Sequence, residues 1–484
     1  MARPIEELRE ERLRKLEQIR ELGINPYPSS CGRCHSAAEA FELEGETVSV
    51  AGRIAAIRGH GKIIFFDLRD ASGKIQLVFK AEKIKGKNAK LLGLLDIGDF
   101  IDARGGVFKT DAGEVSVLVE DFHLLTKSIL PIPSKWHGLK DIEERYRQRY
   151  LDLLMNEEVR GAFKTRAEIT NLLRKFLDGR GFMEVKTPAL QPLYGGASAR
   201  PFITHHNALG IDLFLRISDE LYLKRLIVGG FEKVYELCTD FRNEGIDRWH
   251  NPEFTMLEFY WAYADYNDLM RLTEEMLSSI VKEVCGGYKI DYAGSKIDFK
   301  PPWKRLSFQK AVLDCCGIDI DEAKSLADLK AVLGKRKVKA DLGGIRDLVG
   351  AWDELFKTLV RPQITDPTFL IDCPVAMRPL AKKHRKDSSK VENMQLVVAG
   401  AELVNAYTEL NDPQEQRARW EEDMSRAKAG VEEFQVVDED YIEALEYGMP
   451  PTAGWGLGVD RLVAILTNQH SLKDVILFPA LRPR

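Results

Sequence analysis

The sequence predicts an α+β protein in two parts: a small five-stranded β-barrel near the N-terminus, then a larger body mixing helices and strands. Three observations carry that expectation. Between residues 47 and 126 the chain runs in short β-rich segments separated by turns. From 151 to 484 helical and strand patterns interleave. With 44% hydrophobic residues among 484, the chain can fill large cores. Its 37 Gly and 20 Pro are too few for a collagen-like or low-complexity protein. No apolar run approaches the roughly 18 residues of a membrane-spanning helix. The N-terminus alternates charges without the apolar core of a secretory signal, so a cytoplasmic protein with no membrane partner is expected.

Residues 1–46 are expected as an N-terminal helix and loop. Ile5, Leu8, Leu13, Leu16, Ile19 and Leu22 stand among charges at helical spacing, and Gly23 with Pro26 and Pro28 ends the run. Cys31-Gly32-Arg33-Cys34-His35 has the spacing of a haem attachment or the start of a zinc site. The haem reading needs export, and no second close pair follows except the adjacent Cys315 and Cys316, so an ordinary loop is expected. The 7 cysteines, an odd and scattered set, fit reduced thiols.

Five runs follow: TVSVAGRIAAI, KIIFFDLRD, KIQLVFK, FIDARGGVF and EVSVLVEDFHLL, with a helical stretch near 81–95. They fit a Greek-key barrel of the OB type over 47–126. Charge points to its partner. The whole chain, with 70 basic and 75 acidic residues, is at −5, which argues against a bulk nucleic-acid glue. Yet 51–90 holds ten Lys or Arg against only Asp67, Asp70 and Glu82. Phe65, Phe66 and Phe79 interleave there with Arg53, Arg58, Lys62 and Lys74. Charges for phosphate beside rings for unstacked bases predict a single-stranded nucleic-acid site for the patch as a whole, while any one of the three rings fits the barrel core equally well. A polar linker is expected over 127–150. The large body over 151–484 is read as one catalytic domain, with a helical, charge-rich insertion at about 268–365.

Neither G-x-x-x-x-G-K-[ST] nor G-x-G-x-x-G occurs. Instead Gly454, Gly456 and Gly458 alternate before Asp460-Arg461, so a backbone can lie flat beneath a planar ligand while the arginine reaches a phosphate. A second segment, TDFRNEGIDRWHNPEFTMLEFYWAY, sets Arg242 and Glu244 on one side of a strand. His250, Asn251 and Phe254 follow a short loop, and Glu258 and Tyr260 come next at strand alternation. A guanidinium, carboxylates and an aromatic face converging on one cleft suit an anionic phosphate beside a cationic amine.

FLDGRGFMEVKTP, the Arg242-to-Phe254 segment and GWGLGVDR resemble motifs 1, 2 and 3 of the class II aminoacyl-tRNA synthetases. The strings GGASARPFITHHNALGIDLFLRISDELYLKRL, NAYTELNDP and ALEYGMPPTAGWGLGVDRL are similar to those of class II lysyl-tRNA synthetases. The likeness runs from VAGR at 50–53 to DVILFP at 474–479. It implies an anticodon-reading OB barrel, then an antiparallel catalytic sheet flanked by helices. It also implies a homodimer, with motif 1 ending at Pro188 on the interface. The implied activity joins L-lysine and ATP to lysyl-adenylate, then moves lysine to the 3′ end of tRNA(Lys), with Mg²⁺ on the phosphates.

Residue by residue, the resemblance puts Glu220, Tyr260 and Glu409 around the ε-ammonium of lysine and Glu258 on its α-amino group. Gly196, Asn405 and Tyr407 line that pocket. Arg242 and Arg461 are the implied catalytic arginines, with Arg242 bridging the substrate carboxylate and the α-phosphate. Phe254 and Arg461 sandwich adenine, and Glu244, His250, Asn251, Glu402 and Gly458 complete the ATP site. Glu402 is the implied metal carboxylate, with Gln395 where a second is expected. In the barrel, Arg58, Phe65, Gln76 and Glu114 fall where the family reads the anticodon. The sequence departs from the family at Trp249, where an arginine is expected, at Gln395, at Arg378 in place of a small polar residue, and at Lys186 in motif 1. These departures motivate a second expectation, a catalytically weakened relative that binds lysine or tRNA in a regulatory role.

Overall fold

The computed structural model describes residues 4–133, 141–428 and 436–484, and the chain divides into two compact units, Met1–Lys140 and Asp141–Arg484. The part of the expected 127–150 linker at 134–140 lies outside the described residues.

In the first unit, α1 (Ile5–Glu21) buries Leu16 and Ile19 from one face, as its spacing predicts. It is part of the barrel unit, because Arg12 donates to the carbonyls of Ile97, Ser128 and Leu130 at 2.8, 3.1 and 3.1 Å. The strands β1 (Thr47–His60), β2 (Ile63–Arg69), β3 (Lys74–Lys80), β4 (Phe100–Lys109) and β5 (Val115–Thr126) close in the order β1-β2-β3-β5-β4. α2 (Gly86–Leu92) lies between β3 and β4. Strand alternation fills the interior with Ile54, Phe66, Leu68, Ile75, Leu77 and Phe79.

That same alternation corrects the expected aromatic patch. Phe66 and Phe79 are core residues with ring centroids 4.7 Å apart, and only Phe65 is partly exposed. Arg53 is also committed to structure. Its guanidinium lies 4.2 Å from the Phe100 ring centroid and donates to Gly98 O at 3.1 Å.

The second unit is built on an eight-stranded sheet. Its strands are β6 (Met183–Glu184), β7 (Lys233–Phe241), β8 (Glu253–Ala262), β9 (Lys304–Ser307), β10 (Thr368–Ile371), β11 (Asn393–Val398), β12 (Ala401–Thr408) and β13 (Thr452–Gly458). They lie in the order β9-β10-β11-β12-β13-β8-β7-β6. The six inner strands are antiparallel, and each edge strand joins its neighbour in parallel, so the sheet is mixed where an antiparallel one was expected.

Residues of one sheet face, among them Leu257, Phe259, Trp455, Leu457, Val404 and Leu396, pack against α3 (Glu157–Asp178) and two later helices. The helix α4 (Glu220–Val228) belongs to a second core, which meets the opposite face around Tyr260 and Tyr407.

The expected insertion at 268–365 is corrected at its start. α5 (Tyr266–Cys285) buries Leu269, Met270, Leu272, Met276 and Leu277 in the main core, and β9 is a strand of the main sheet. Charges on the outer side of α5 hid an amphipathic helix of 20 residues. The helices between 308 and 363 instead build the second core around Phe308, Trp352 and Phe356. α6 (Val459–Leu466) follows β13 directly and covers the main core.

Candidate active site

The floor of the site is a lattice fixed by strand register. Glu258 pairs with Gly456, which pairs with Asn405, which pairs with Gln395. Two residues along, Tyr260, Gly454, Tyr407 and Asn393 form the next row. All of these share one face, because side chains in a strand alternate. The intervening Trp455 and Leu457 enter the core, with Trp455 stacked on Phe259 at 4.7 Å. The central strand therefore presents bare backbone to the site. At Gly454 this is obligatory, since an added Cβ would collide with Oε1 of Glu409 and come within 2.5 Å of Tyr260 Cε1.

At one end lies a buried acidic pocket. Glu220, Glu258 and Glu409 are 5%, 7% and 0% exposed. The structure adds a cation that sequence reasoning missed: Lys224, fully buried, with Nζ 2.5 Å from Glu220 and also paired to Glu409. The spacing held the signal, because residues 220 and 224 are one helical turn apart and both lie on the buried face of α4. Burial alone would lower the Lys224 pKa, but the charges of Glu220 and Glu409 outweigh it and hold it above the ordinary value. Tyr407 Oη donates to both oxygens of Glu220 at 2.7 and 2.9 Å, and Tyr260 Oη donates to Glu258 at 3.3 Å. Glu409 Oε1 has no hydrogen-bond partner, and burial pushes this carboxyl well above its usual range. Gly196, at φ +84°, crosses so close that a Cβ there would stand 3.0 Å from Ser218 Oγ.

Glu258 receives Ser218 Oγ at 3.2 Å, and its carboxylate lies within 4.8 Å of those of the buried Asp219 and Asp240. Burial and the nearby Asp240 charge push Glu258 up to about 8. Burial and the Glu258 charge hold Asp219 well above its usual range. Arg216, 2.7 Å from Glu236 and 3.4 Å from Asp240, balances the deeper part of this cluster. Among the described residues, Lys224 is the cation paired within the group of Glu220, Glu409 and Glu258, whose carboxyl groups outnumber it, which leaves the pocket matched to added ammonium groups.

The other end is basic and aromatic. Arg242 lies 5.1 Å from the Phe254 ring centroid and donates Nε to Ile217 O at 3.3 Å. Arg461, on α6, donates to Glu402 O at 3.0 Å and stands 3.4 Å from His250 Nε2. Burial lowers its pKa. His250 Nδ1 lies 2.8 Å from Asp247. Asn251 ties the loop down, donating to Glu253 O at 2.5 Å and accepting from Ala480 N at 3.2 Å. Asp460, beside Arg461, accepts from Thr255 N at 2.8 Å and pairs with Arg166. Glu402 faces the cavity, and Gln395 Nε2 donates to its carboxylate at 3.0 Å.

One cavity of about 320 Å³ joins the two ends. Arg242, Glu244, His250, Asn251, Phe254, Glu402, Gly458 and Arg461 line it, as do Gly196, Glu220, Glu258, Tyr260, Asn405 and Tyr407. Glu409 and Gln395 lie outside this lining. Trp249 and Arg378 are lining residues; Arg248 is not.

On the barrel, Phe65 pairs with Arg58 across β1 and β2, and Asp67 pairs with Gln76 across β2 and β3. Arg58 forks onto Asp67 at 2.7 and 3.1 Å, and Gln76 Oε1 accepts from Ser116 Oγ at 2.9 Å. Lys74 lies 3.6 Å from Asp67 and 3.9 Å from Glu114, so Arg58, Phe65, Gln76 and Glu114 share one surface.

A mixed sheet with this glycine-floored cleft, followed in order by an arginine-capped helix, is the arrangement of a class II synthetase. Residues 141–482 match the family described as tRNA synthetases class II (D, K and N), and residues 48–125 match the OB-fold nucleic acid binding domain. Similar curated proteins are lysine–tRNA ligases. That of Pelotomaculum thermopropionicum is 48% identical, covering 99% of this chain and 96% of the relative. That of Moorella thermoacetica is 49% identical, covering 98% and 97%. That of Roseiflexus castenholzii is 50% identical, covering 99% of each chain. The chain belongs to the class II tRNA synthetases, in their lysine–tRNA ligase branch.

Proposed function

We propose that this chain activates L-lysine with ATP to lysyl-adenylate and transfers the lysyl group to the 3′ end of tRNA(Lys). The observation that carries the reading is the buried carboxylate excess around Glu409, whose Oε1 is left without a partner beside the cavity. The ε-ammonium of lysine completes that pocket with Glu220, Glu409 and Tyr260, and its α-ammonium meets Glu258. Neutral side chains leave the carboxylates uncompensated, and that penalty is the selectivity.

ATP takes the basic end, with adenine between Phe254 and Arg461 and polar contacts from Glu244, His250, Asn251 and the Gly458 backbone. A carboxylate oxygen of lysine attacks the α-phosphorus, and the bond to pyrophosphate breaks. Arg242 offsets the charge that develops on the α-phosphoryl oxygens. The hydroxyl of the terminal ribose of tRNA then attacks the lysyl carbonyl, and AMP leaves. Neither step needs a protein nucleophile, so positioning and electrostatics do the catalysis.

Magnesium fits this site. Glu402 faces the cavity with Gln395 hydrogen-bonded to it, and one carboxylate plus phosphate oxygens is a common donor set for this ion. When bound through Glu402 it supplies charge neutralisation on the phosphates. No observation favours the weakened relative: Arg242, Arg461 and Glu402 all line the cavity.

A homodimer in the cytoplasm completes the reading. Met183, Leu190, Ile203, Leu209 and Ile211, near the end of motif 1, are 41–65% exposed large apolar side chains, in keeping with a covered surface. No helix among the described residues is long and apolar enough to cross a membrane.

Charging of tRNA with labelled lysine tests the function. Phe65→Ala tests the barrel's part in it: it raises the tRNA KM by about tenfold, the worth of one stacked base, while lysine activation without tRNA stays unchanged. An unchanged tRNA KM removes Phe65 from the anticodon site. Lysine binding should also depend on pH. In the empty pocket Glu258 titrates at about 8, so below that pH it is protonated. The α-ammonium favours its ionised form, so binding at pH 7 expels a proton. Affinity therefore rises between pH 6 and 8, by at most about tenfold per unit. Calorimetry in two buffers of different ionisation heat counts that proton, and zero release contradicts the Glu258 assignment.

A further inference from the structure

Arg378 follows a short turn, Val375–Met377, and lines the same cavity as Arg242, Arg461 and Glu402. Its Nη1 donates to the Met377 carbonyl at 2.9 Å, while its Nε is buried with no hydrogen-bond partner. Arg378 is half-buried, and a guanidinium whose inner nitrogen is buried without a partner has donor capacity that an anion would complete. Arg378 and Arg461 line one cavity with Glu402, whose charge bears on both guanidinium groups.

The loop between Arg242 and Phe254 places no guanidinium of its own in the cavity lining. Trp249 lines the cavity and packs on the main core. Arg248 is exposed, 5.3 Å from the Trp249 ring centroid, and its carbonyl accepts from Leu472 N at 3.0 Å. A triphosphate carries more negative charge than Arg242 and Arg461 alone neutralise.

We propose that Arg378 binds the distal phosphates of ATP, supplying from the Val375–Met377 wall the cation that Trp249 does not provide. The proposal rests on the lysine-activating reading above. Its chemistry is that of an arginine paired to phosphate oxygens, retained by pyrophosphate after the adenylate forms.

The test is lysine-dependent exchange of pyrophosphate into ATP by the full chain and three variants. Arg378→Gln raises the ATP KM by about 10- to 100-fold, the worth of a charge-assisted hydrogen bond to phosphate. Lysine affinity measured without ATP stays within about twofold, as one binding site is altered and the other is not. Arg378→Lys keeps a charge and recovers part of the loss. Adding Trp249→Arg to Arg378→Gln restores a guanidinium to the cavity wall and recovers most of it. An unchanged ATP KM overturns the proposal. So does an equal loss of lysine affinity, or a loss that neither restored charge reverses. Absence of exchange in the unmodified chain would instead defeat the activation reading itself.

Discussion

Glu409→Gln lowers kcat/KM for lysine activation by about 10²- to 10³-fold, because breaking a buried charge pair from one side costs roughly 3–5 kcal/mol, part of it borne by folding. Glutamine keeps the shape that packs against Gly454 but removes the charge that holds Lys224 from one side. Lys224 retains Glu220 at 2.5 Å, so the fold survives with a lower Tm. The ε-ammonium of lysine then meets a pocket with one carboxylate fewer, and discrimination against uncharged amino acids falls with it. Exchange kinetics over several amino acids, with thermal melts alongside, check both parts. Normal lysine activation by this variant would remove Glu409 from the pocket.

Arg242→Gln acts at the other end and on a different constant. Arg242 reaches the cavity from the end of β7, held by its bond to Ile217 O and by its position near the Phe254 ring. In the proposed reaction its charge is needed most when the α-phosphoryl group is in transit, so the loss is expected on kcat, by about 10²- to 10³-fold for one electrostatic stabiliser. The lysine KM rises less than kcat falls, because the acidic pocket that holds both ammonium groups is intact and only the carboxylate contact is lost. Single-turnover formation of lysyl-adenylate measures the step directly. A kcat within about threefold of the parent, where one stabiliser should cost far more, would show that another group carries the transition-state charge.

Much of this was legible in the sequence for a physical reason: strands alternate, and alternation puts polar site residues and core residues at predictable positions. The five barrel strands, the Gly454–Gly458 floor and the Glu258/Tyr260 pair all follow from a period of two. The errors come from the same rule applied without knowing which face is inside. Phe66 and Phe79 share the barrel interior, and Arg53 is held over Phe100, so three members of the expected nucleic-acid patch are structural. α5 was hidden because a helix that is polar on one side looks like an insertion until its partners are known. Lys224 was missed for a related reason. A lysine inside a helix reads as surface charge unless both of its carboxylate partners are known, and Glu409 is remote in sequence.

The most direct measurement is pyrophosphate exchange into ATP by the purified full chain, run with each of the twenty amino acids at ordinary Mg²⁺. The expected result is robust exchange with L-lysine and background with the others, including aspartate and asparagine. Exchange driven by aspartate or asparagine, or lysine binding without any exchange, would contradict it.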